Sequence, residues 1–292
     1  MQDLAPDTTD RWSTPTDAAP SGVARPWSGA TTVTLGMPQL DGCGLSETWL
    51  QKTCGAAHWR GLEAHLGRPA QDWRDASGRR VYAAFGIVRL RAARLAKAVE
   101  GERLRIASTL AAVGRSQAWS RHRLSTRGER IGELEMLSVF IGRGDDGSNR
   151  SVRRVSMRDE AAAEPTGARA VADHARAWRA SLAQPVPAAE PYRTVRWLAC
   201  PRNDFNGAGL VYFCHFTAWA DRALSGWHLL GAGQRVVERE CLFLGNLDPG
   251  EEVELALRAD QPTATGGCLE VGIRCTRHDR LLAVVRTTWE LA

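Results

Sequence analysis

Hydrophobic and polar residues alternate along eight stretches of this chain, and two further apolar stretches have the spacing of helices. Alternation with a period of two residues, together with β-branched content, is typical of strands. The order is one helix followed by four strands, and it occurs twice. The helices are predicted to end near Leu66 and Leu224. The predicted strands are Val81–Leu90, Glu102–Leu110, Ala118–Leu124 and Ile131–Phe140, then Arg235–Phe243, Glu251–Leu257, Cys268–Cys275 and Leu281–Trp289.

The repeated order predicts an α+β fold in which each antiparallel sheet wraps around one helix, and this arrangement resembles a double hot dog. Two unrelated α+β domains stay open as the alternative. The polar, Pro-rich residues 1–30 are expected to form a flexible leader. We place the first repeat at 31–158 and the second at 192–292. The Ala/Pro/Glu-rich stretch 159–191 is predicted to be a linker, with a short helix at Ala168–Trp178.

The composition indicates a globular protein, since 43% of the 292 residues are hydrophobic. Lys and Arg number 38 against 33 Asp and Glu, which gives a net charge of +5. No dense basic block with interleaved aromatic residues occurs, so we expect no nucleic-acid partner. A mildly basic surface also suits acyl carrier proteins or the phosphates of coenzyme A.

The seven cysteines are odd in number and scattered, which favours free thiols in a reducing compartment. No C-x-x-C pair or H-E-x-x-H sequence supports a metal site. No apolar run is long enough for a membrane span, and the first residues do not resemble a signal peptide. We therefore expect a cytoplasmic protein without a membrane partner, a metal or a resident cofactor.

A polar turn with two glycines, Arg202–Leu210, leads directly into the apolar segment Val211–Phe216. Glycines let a backbone approach a ligand closely, and the free N–H groups at a helix start can bind a carbonyl oxygen. A similar but degenerate turn, Asp41–Leu50, opens the first predicted helix. The alternative is that Asp204 and Asn206 only cap the helix.

Few acid–base residues accompany these turns. His215 lies among apolar residues and is expected to be a core histidine, and Asp221 lies far along the second helix. Glu47 fits a charge favoured by the helix dipole. Hydrolysis and dehydration are therefore not well supported by the sequence.

Several separated motifs carry a more specific resemblance, over roughly residues 35–290. They are Gly44–Leu50, His58-Trp59, Arg80–Phe85 and Pro201–Phe213. In this order they resemble the bifunctional acyltransferase/decarboxylases of the leinamycin polyketide pathway and their relatives.

That resemblance implies an enzyme that decarboxylates methylmalonyl-CoA and loads a propionyl group on an acyl carrier protein. It implies Tyr82 as the residue that accepts the acyl group. Decarboxylation needs an enolate oxygen held by fixed donors, and Asn206, Ser46 and backbone N–H groups suit that role. In hot-dog enzymes the thioester oxygen commonly accepts backbone N–H bonds at a helix start. The matching positions are Gly44, Leu45 and Ser46 in the first copy and Gly207, Ala208 and Gly209 in the second.

Alternatives remain at this stage. Tyr82 also fits a half-buried strand aromatic, and Ser46 also fits a helix cap. His58 and Trp59 are expected to pack rather than to react. The protein as a whole also fits an acyl-CoA thioesterase or dehydratase, or a catalytically silent scaffold. The sequence does not determine the oligomeric state, and a homodimer is one state that it allows.

Overall fold

The computed structural model describes residues 26–91, 93–158, 165–183, 193–231 and 233–292. The elements of the first half are β1 (Trp27–Thr34), β2 (Leu40–Asp41), β3 (Gly44–Leu45), α1 (Glu47–Leu66), β4 (Val81–Arg91), β5 (Arg103–Val113), β6 (Gln117–Thr126), β7 (Glu129–Gly142) and β8 (Arg153–Arg154). Then follow α2 (Thr166–Ser181), β9 (Thr194–Leu198), α3 (Phe213–Gly226), β10 (Gln234–Phe243), β11 (Glu252–Pro262), β12 (Gly266–Cys275) and β13 (Arg280–Leu291).

One long antiparallel sheet contains both halves. Its strand order is β1-β5-β6-β7-β4-β10-β13-β12-β11-β9, with the short β8 beside β7. The halves join where β4 pairs with β10, from Arg239 opposite Leu90 to Leu242 opposite Ile87. The predicted order of one helix and four strands is confirmed in each half. The structure adds one strand before each helix, because β1 pairs with β5 as β9 pairs with β11.

Helices α1 and α3 lie on one face of the sheet and contact each other. Helix α1 begins at the cap residue Ser46 and ends at Gly67, which has a left-handed backbone. The buried residues of α3 include Phe213, Phe216 and Ala220, at the spacing that places them on one side of a helix. Gln51 of α1 donates a hydrogen bond to Thr217 of α3 at 3.2 Å, which ties the helices together.

A chain of polar side chains crosses the buried contact between α1 and the sheet. His58 contacts Ser120 and Ser138 at 2.7 and 2.8 Å, and His122 contacts Ser108 and Ser120 at 2.7 and 2.9 Å. Both histidines are fully buried. Each ring nitrogen has a partner, so the network satisfies its polar groups without solvent.

Two predicted boundaries change. Strand β1 begins at Trp27, so residues 27–30 belong to the first repeat and not to a leader, whereas residues 1–25 lie outside the described part. The predicted linker contains α2, which is longer than expected. The buried residues of α2 include Val171 and Trp178, which pack on the face of the sheet opposite α1 and α3 through Ile87 and Leu242. An amphipathic pattern inside an Ala-rich segment was the signal for this packing.

Candidate active site between the two halves

A cavity of about 580 Å³ lies between β4 of the first half and the turn before α3 of the second. Aromatic side chains supply much of its wall, and basic groups stand among them. The lining residues used below are Lys52, Trp59, Arg80, Tyr82, Asn206, Gly207, Ala208, Tyr212 and His215. We call this space the Tyr82 cavity.

Tyr82 has positively charged neighbours from its own half. The guanidinium carbons of Arg80 and Arg143 each lie 5.5 Å from the centre of the Tyr82 ring. Arg80 Nε is buried and has no hydrogen-bond partner among the described residues. An unpaired guanidinium N–H is a ready donor to a carboxylate.

The turn that carries Asn206 is closed by its own hydrogen bonds. Asn206 Oδ1 accepts from the N–H groups of Ala208 and Leu210 at 2.9 and 3.2 Å, and the Asn206 carbonyl accepts from Gly209 N–H at 2.8 Å. The chain then pairs Phe205 with Val211, so α3 starts at Phe213 and not at Leu210. The N–H groups of Ala208 and Gly209 are therefore already bonded.

Two donors of this turn have no hydrogen-bond acceptor within the described part of the chain. They are the Gly207 N–H and the Asn206 side-chain amide, and both residues line the Tyr82 cavity. Asn149 Nδ2 donates to Gly209 O at 2.7 Å, and Arg143 Nη2 donates to Ala208 O. These bonds from the first half hold the turn in place, which is the preorganisation that a fixed donor site needs.

An acid–base pair lies on the same wall. His215 Nδ1 is 3.2 Å from Asp204 Oδ1, and His215 lines the Tyr82 cavity. Burial lowers the pKa of His215 despite the opposing effect of Asp204. The imidazole is therefore mainly neutral at pH 7, with Nδ1–H donating to Asp204 and Nε2 able to accept a proton. The sequence, which favoured a core histidine, did not reveal this pair.

The corresponding turn of the first half does not line the Tyr82 cavity. Leu45 is buried in the core, and Ser46 caps α1 by accepting a bond from Trp49 N–H. A side chain on Gly44 would lie 2.4 Å from the Leu95 carbonyl oxygen, because the segment around Ala96 covers this turn. The structure thus separates Gly44, Leu45 and Ser46 from Tyr82, whereas it brings Asn206, Gly207 and Ala208 to it.

We expect Gly44→Ala to lower the free energy of unfolding by about 2–3 kcal/mol. Its φ of +115° is unfavourable for alanine, and the new methyl group meets backbone atoms. Urea denaturation measures the change. Gly67→Ala is the matched control, since Gly67 also has a positive φ but nothing lies within 4 Å of an added Cβ. Equal losses for the two variants would show that the Gly44 turn is not packed as described.

A second cavity, of about 490 Å³, opens where the ladder between β4 and β10 ends. It shares Trp59, Ala83, Asn206 and Leu210 with the Tyr82 cavity, so the two spaces adjoin at these residues. Its inner wall is aromatic, with Phe85 and Phe213 in ring contact at 4.4 Å. Trp59, which the sequence suggested would only pack, therefore lies between both cavities.

The sequence matches no family model and no curated protein. Solved structures of similar fold cover nearly the whole chain. A protein assigned as an oleoyl thioesterase from Lactobacillus plantarum has a TM-score of 0.68 at 14% identity and covers 92% of this chain and 98% of its own. The 12:0-ACP thioesterase of Umbellularia californica has a TM-score of 0.63 at 11% identity, covering 91% and 98%.

A third similar structure is an acyl-ACP thioesterase from Bacteroides thetaiotaomicron, with a TM-score of 0.59 at 11% identity, covering 90% of this chain and 98% of its own. None of the helices in the described ranges is both long and apolar enough for a membrane span. The likeness spans both halves and agrees with the repeated helix and sheet. The chain has the double hot-dog fold.

Proposed function

We propose that this protein is an enzyme that acts on an acyl thioester of coenzyme A or of an acyl carrier protein. The observation that carries the proposal is the Tyr82 cavity, because it joins a phenol from one half to unpaired amide donors from the other. Pockets of this size and position, with few polar groups on an aromatic wall, are typical ligand sites. The fold shared with solved thioesterases supports the same substrate class.

Within this class, the residues around Tyr82 support decarboxylation of methylmalonyl-CoA with transfer of the acyl group. A methylmalonyl group carries a carboxylate, and Arg80 offers an unpaired buried N–H beside the Tyr82 ring. Arg143 adds a second positive charge at the same ring. A pocket that only had to bind a hydrocarbon chain would gain nothing from these charges.

The proposed reaction has two chemical parts. Tyr82 Oη attacks the thioester carbonyl, an ester forms, and coenzyme A leaves with the phenolic proton on its sulfur. The bond from the α-carbon to the carboxylate breaks, carbon dioxide leaves, and the electron pair passes into an enolate. A proton from solvent then reaches the α-carbon. The carrier-protein thiol attacks the propionyl carbonyl, the new thioester forms, and the bond to Tyr82 Oη breaks as the phenol takes up the thiol proton.

The enolate oxygen needs fixed donors, and the Asn206 amide and Gly207 N–H supply two of them in this proposal. Decarboxylation itself needs no general base. This agrees with a cavity in which amide groups and arginines, rather than two carboxylates, stand beside Tyr82.

The test is incubation with methylmalonyl-CoA and a carrier protein in its phosphopantetheine form, with all products measured. We expect carbon dioxide, free coenzyme A and a propionyl mass increase on the carrier in equal amounts. Release of methylmalonic acid with no carbon dioxide would contradict decarboxylation and show that the protein hydrolyses the thioester. No turnover of any acyl thioester would contradict the enzyme proposal and favour a scaffold.

Hydrolysis of an acyl thioester is the second candidate, and one specific observation favours it. The neutral His215, held by Asp204 at 3.2 Å, is placed to remove a proton from water at the cavity wall. The solved structures of similar fold are themselves named as thioesterases, so the comparisons support this candidate better than decarboxylation.

His215→Gln separates the two reactions. If hydrolysis is the main activity, we expect kcat to fall about 100-fold, because a general base contributes rate of that order. If decarboxylation is the main activity, we expect less than about a fivefold change, since His215 is not required to lose carbon dioxide. Lys52→Gln, which removes another polar group from the same wall, controls for altered cavity shape.

A further inference from the structure

The second cavity has an arginine-rich mouth. Six arginines line it, and they come from the segment after β7, from α2 and from β13. They are Arg150, Arg153, Arg154, Arg176, Arg179 and Arg280. Arg150 pairs with Asp248, and Arg176 pairs with Asp173. The other four have no carboxylate partner among the residues that the structure describes.

Two of these four are held in place by backbone carbonyl groups. Arg179 Nη2 donates to Phe243 O at 3.2 Å, and Arg280 Nη2 donates to Asn246 O. Arg280 Nε is buried without a hydrogen-bond partner in the described part of the chain. Arg153 and Arg154 are exposed on β8. Burial lowers the pKa of Arg179, and the nearby positive charge of Arg154 lowers it further. Positive charges therefore repel one another at this mouth.

Such a cluster is stabilised by an anion with several oxygens. Guanidinium groups bind phosphate through paired N–H donors, and they do so better than ammonium groups. The mouth leads inward to Trp59, Ala83, Asn206 and Leu210, which also line the Tyr82 cavity. A ligand that fits both spaces is long, anionic at its outer end and reactive at its inner end.

We propose that this cavity is the entrance for a phosphopantetheine arm, whose phosphate groups bind Arg153, Arg154, Arg179 and Arg280 while the thioester passes Asn206 towards Tyr82. The inference rests on the proposed action on acyl thioesters and adds the direction from which the substrate enters. Helix α2, which the sequence suggested as part of a linker, thereby becomes part of the substrate site. The phosphate belongs either to coenzyme A or to the modified serine of a carrier protein.

Calorimetric binding tests this entrance without any need for turnover. The probes are coenzyme A, dephospho-coenzyme A, pantetheine, and a carrier protein with and without its phosphopantetheine arm. The test variant is Arg153→Ala/Arg154→Ala, at two exposed arginines that make no carboxylate pair within the described ranges. The matched control is Arg103→Ala/Arg235→Ala, which removes the same charge from exposed positions outside both cavities.

We expect the test variant to weaken coenzyme A binding at least tenfold, with pantetheine binding unchanged and the control within twofold of wild type. A loss confined to the modified carrier protein would support the entrance and assign its phosphate to the carrier. The proposal would be overturned if the test variant bound every probe as tightly as wild type does. It would also be overturned if pantetheine binding weakened as much as coenzyme A binding. Because only binding is measured, failed turnover in the product assay would contradict the proposed function separately.

Discussion

Tyr82→Phe is expected to reduce loading of the carrier protein by at least about 100-fold while the protein stays folded. The substitution removes only the hydroxyl group, which is the atom that takes the acyl group in the proposed reaction. The ring stays in place between its packing partners, so the free energy of unfolding is expected to change by less than about 1 kcal/mol. Intact-mass analysis of the carrier protein measures the loss directly.

Tyr212→Phe is the matched control, because Tyr212 lines the same cavity. Burial raises the pKa of Tyr212 to about 12, which makes its phenol a weak nucleophile at neutral pH. We expect at most about a fivefold change for this variant. Equal effects of Tyr82→Phe and Tyr212→Phe would show that the Tyr82 hydroxyl contributes to the shape of the cavity and does not accept the acyl group. Full activity of Tyr82→Phe would show that the reaction does not pass through an acyl-tyrosine intermediate.

A second large effect is expected from acid. Burial lowers the pKa of His58 and His122 to about 3, and each histidine also has two serine partners. In the unfolded chain both rings take up a proton below about pH 6.5. The stability that neutral rings provide is therefore complete above that pH and is lost as the pH falls. We expect about 2.5 kcal/mol less stability at pH 5.5 than at pH 7.

Urea denaturation at both pH values measures this slope. His58→Gln/His122→Gln is expected to reduce the slope, even though the variant is less stable at pH 7. His228→Gln is the control, because His228 is exposed and lies outside the network. Equal free energies of unfolding of wild type at the two pH values would contradict the prediction. They would show that the histidines take up protons equally in the folded and the unfolded chain.

The repeated fold was predictable because alternating patterns in eight strands report burial on one face directly. The helix starts were less predictable. Asn206 and the glycines beside it suggested a helix start at Leu210, but Asn206 uses its side chain to close the turn, and α3 starts three residues later. Asn is common both at helix caps and in turns, so the sequence alone does not show which of the two roles an Asn takes.

The site was only partly predictable for a related reason. Tyr82 and Asn206 are far apart in sequence and line one cavity, yet their roles in a reaction stay a prediction. His215 looked like a core residue because its neighbours in sequence are apolar, and its pairing with Asp204 depends on the turn. The arginine-rich mouth draws on three separate segments, which no local pattern connects.

The most direct measurement is a crystal structure with a methylmalonyl analogue of coenzyme A in which an amide replaces the thioester. We expect its acyl carbonyl within hydrogen-bond distance of Asn206 or Gly207, and its carboxylate beside Arg80 in the Tyr82 cavity. An acyl group bound anywhere else, or no bound analogue at saturating concentration, would contradict the claim that acyl thioesters react between the two halves.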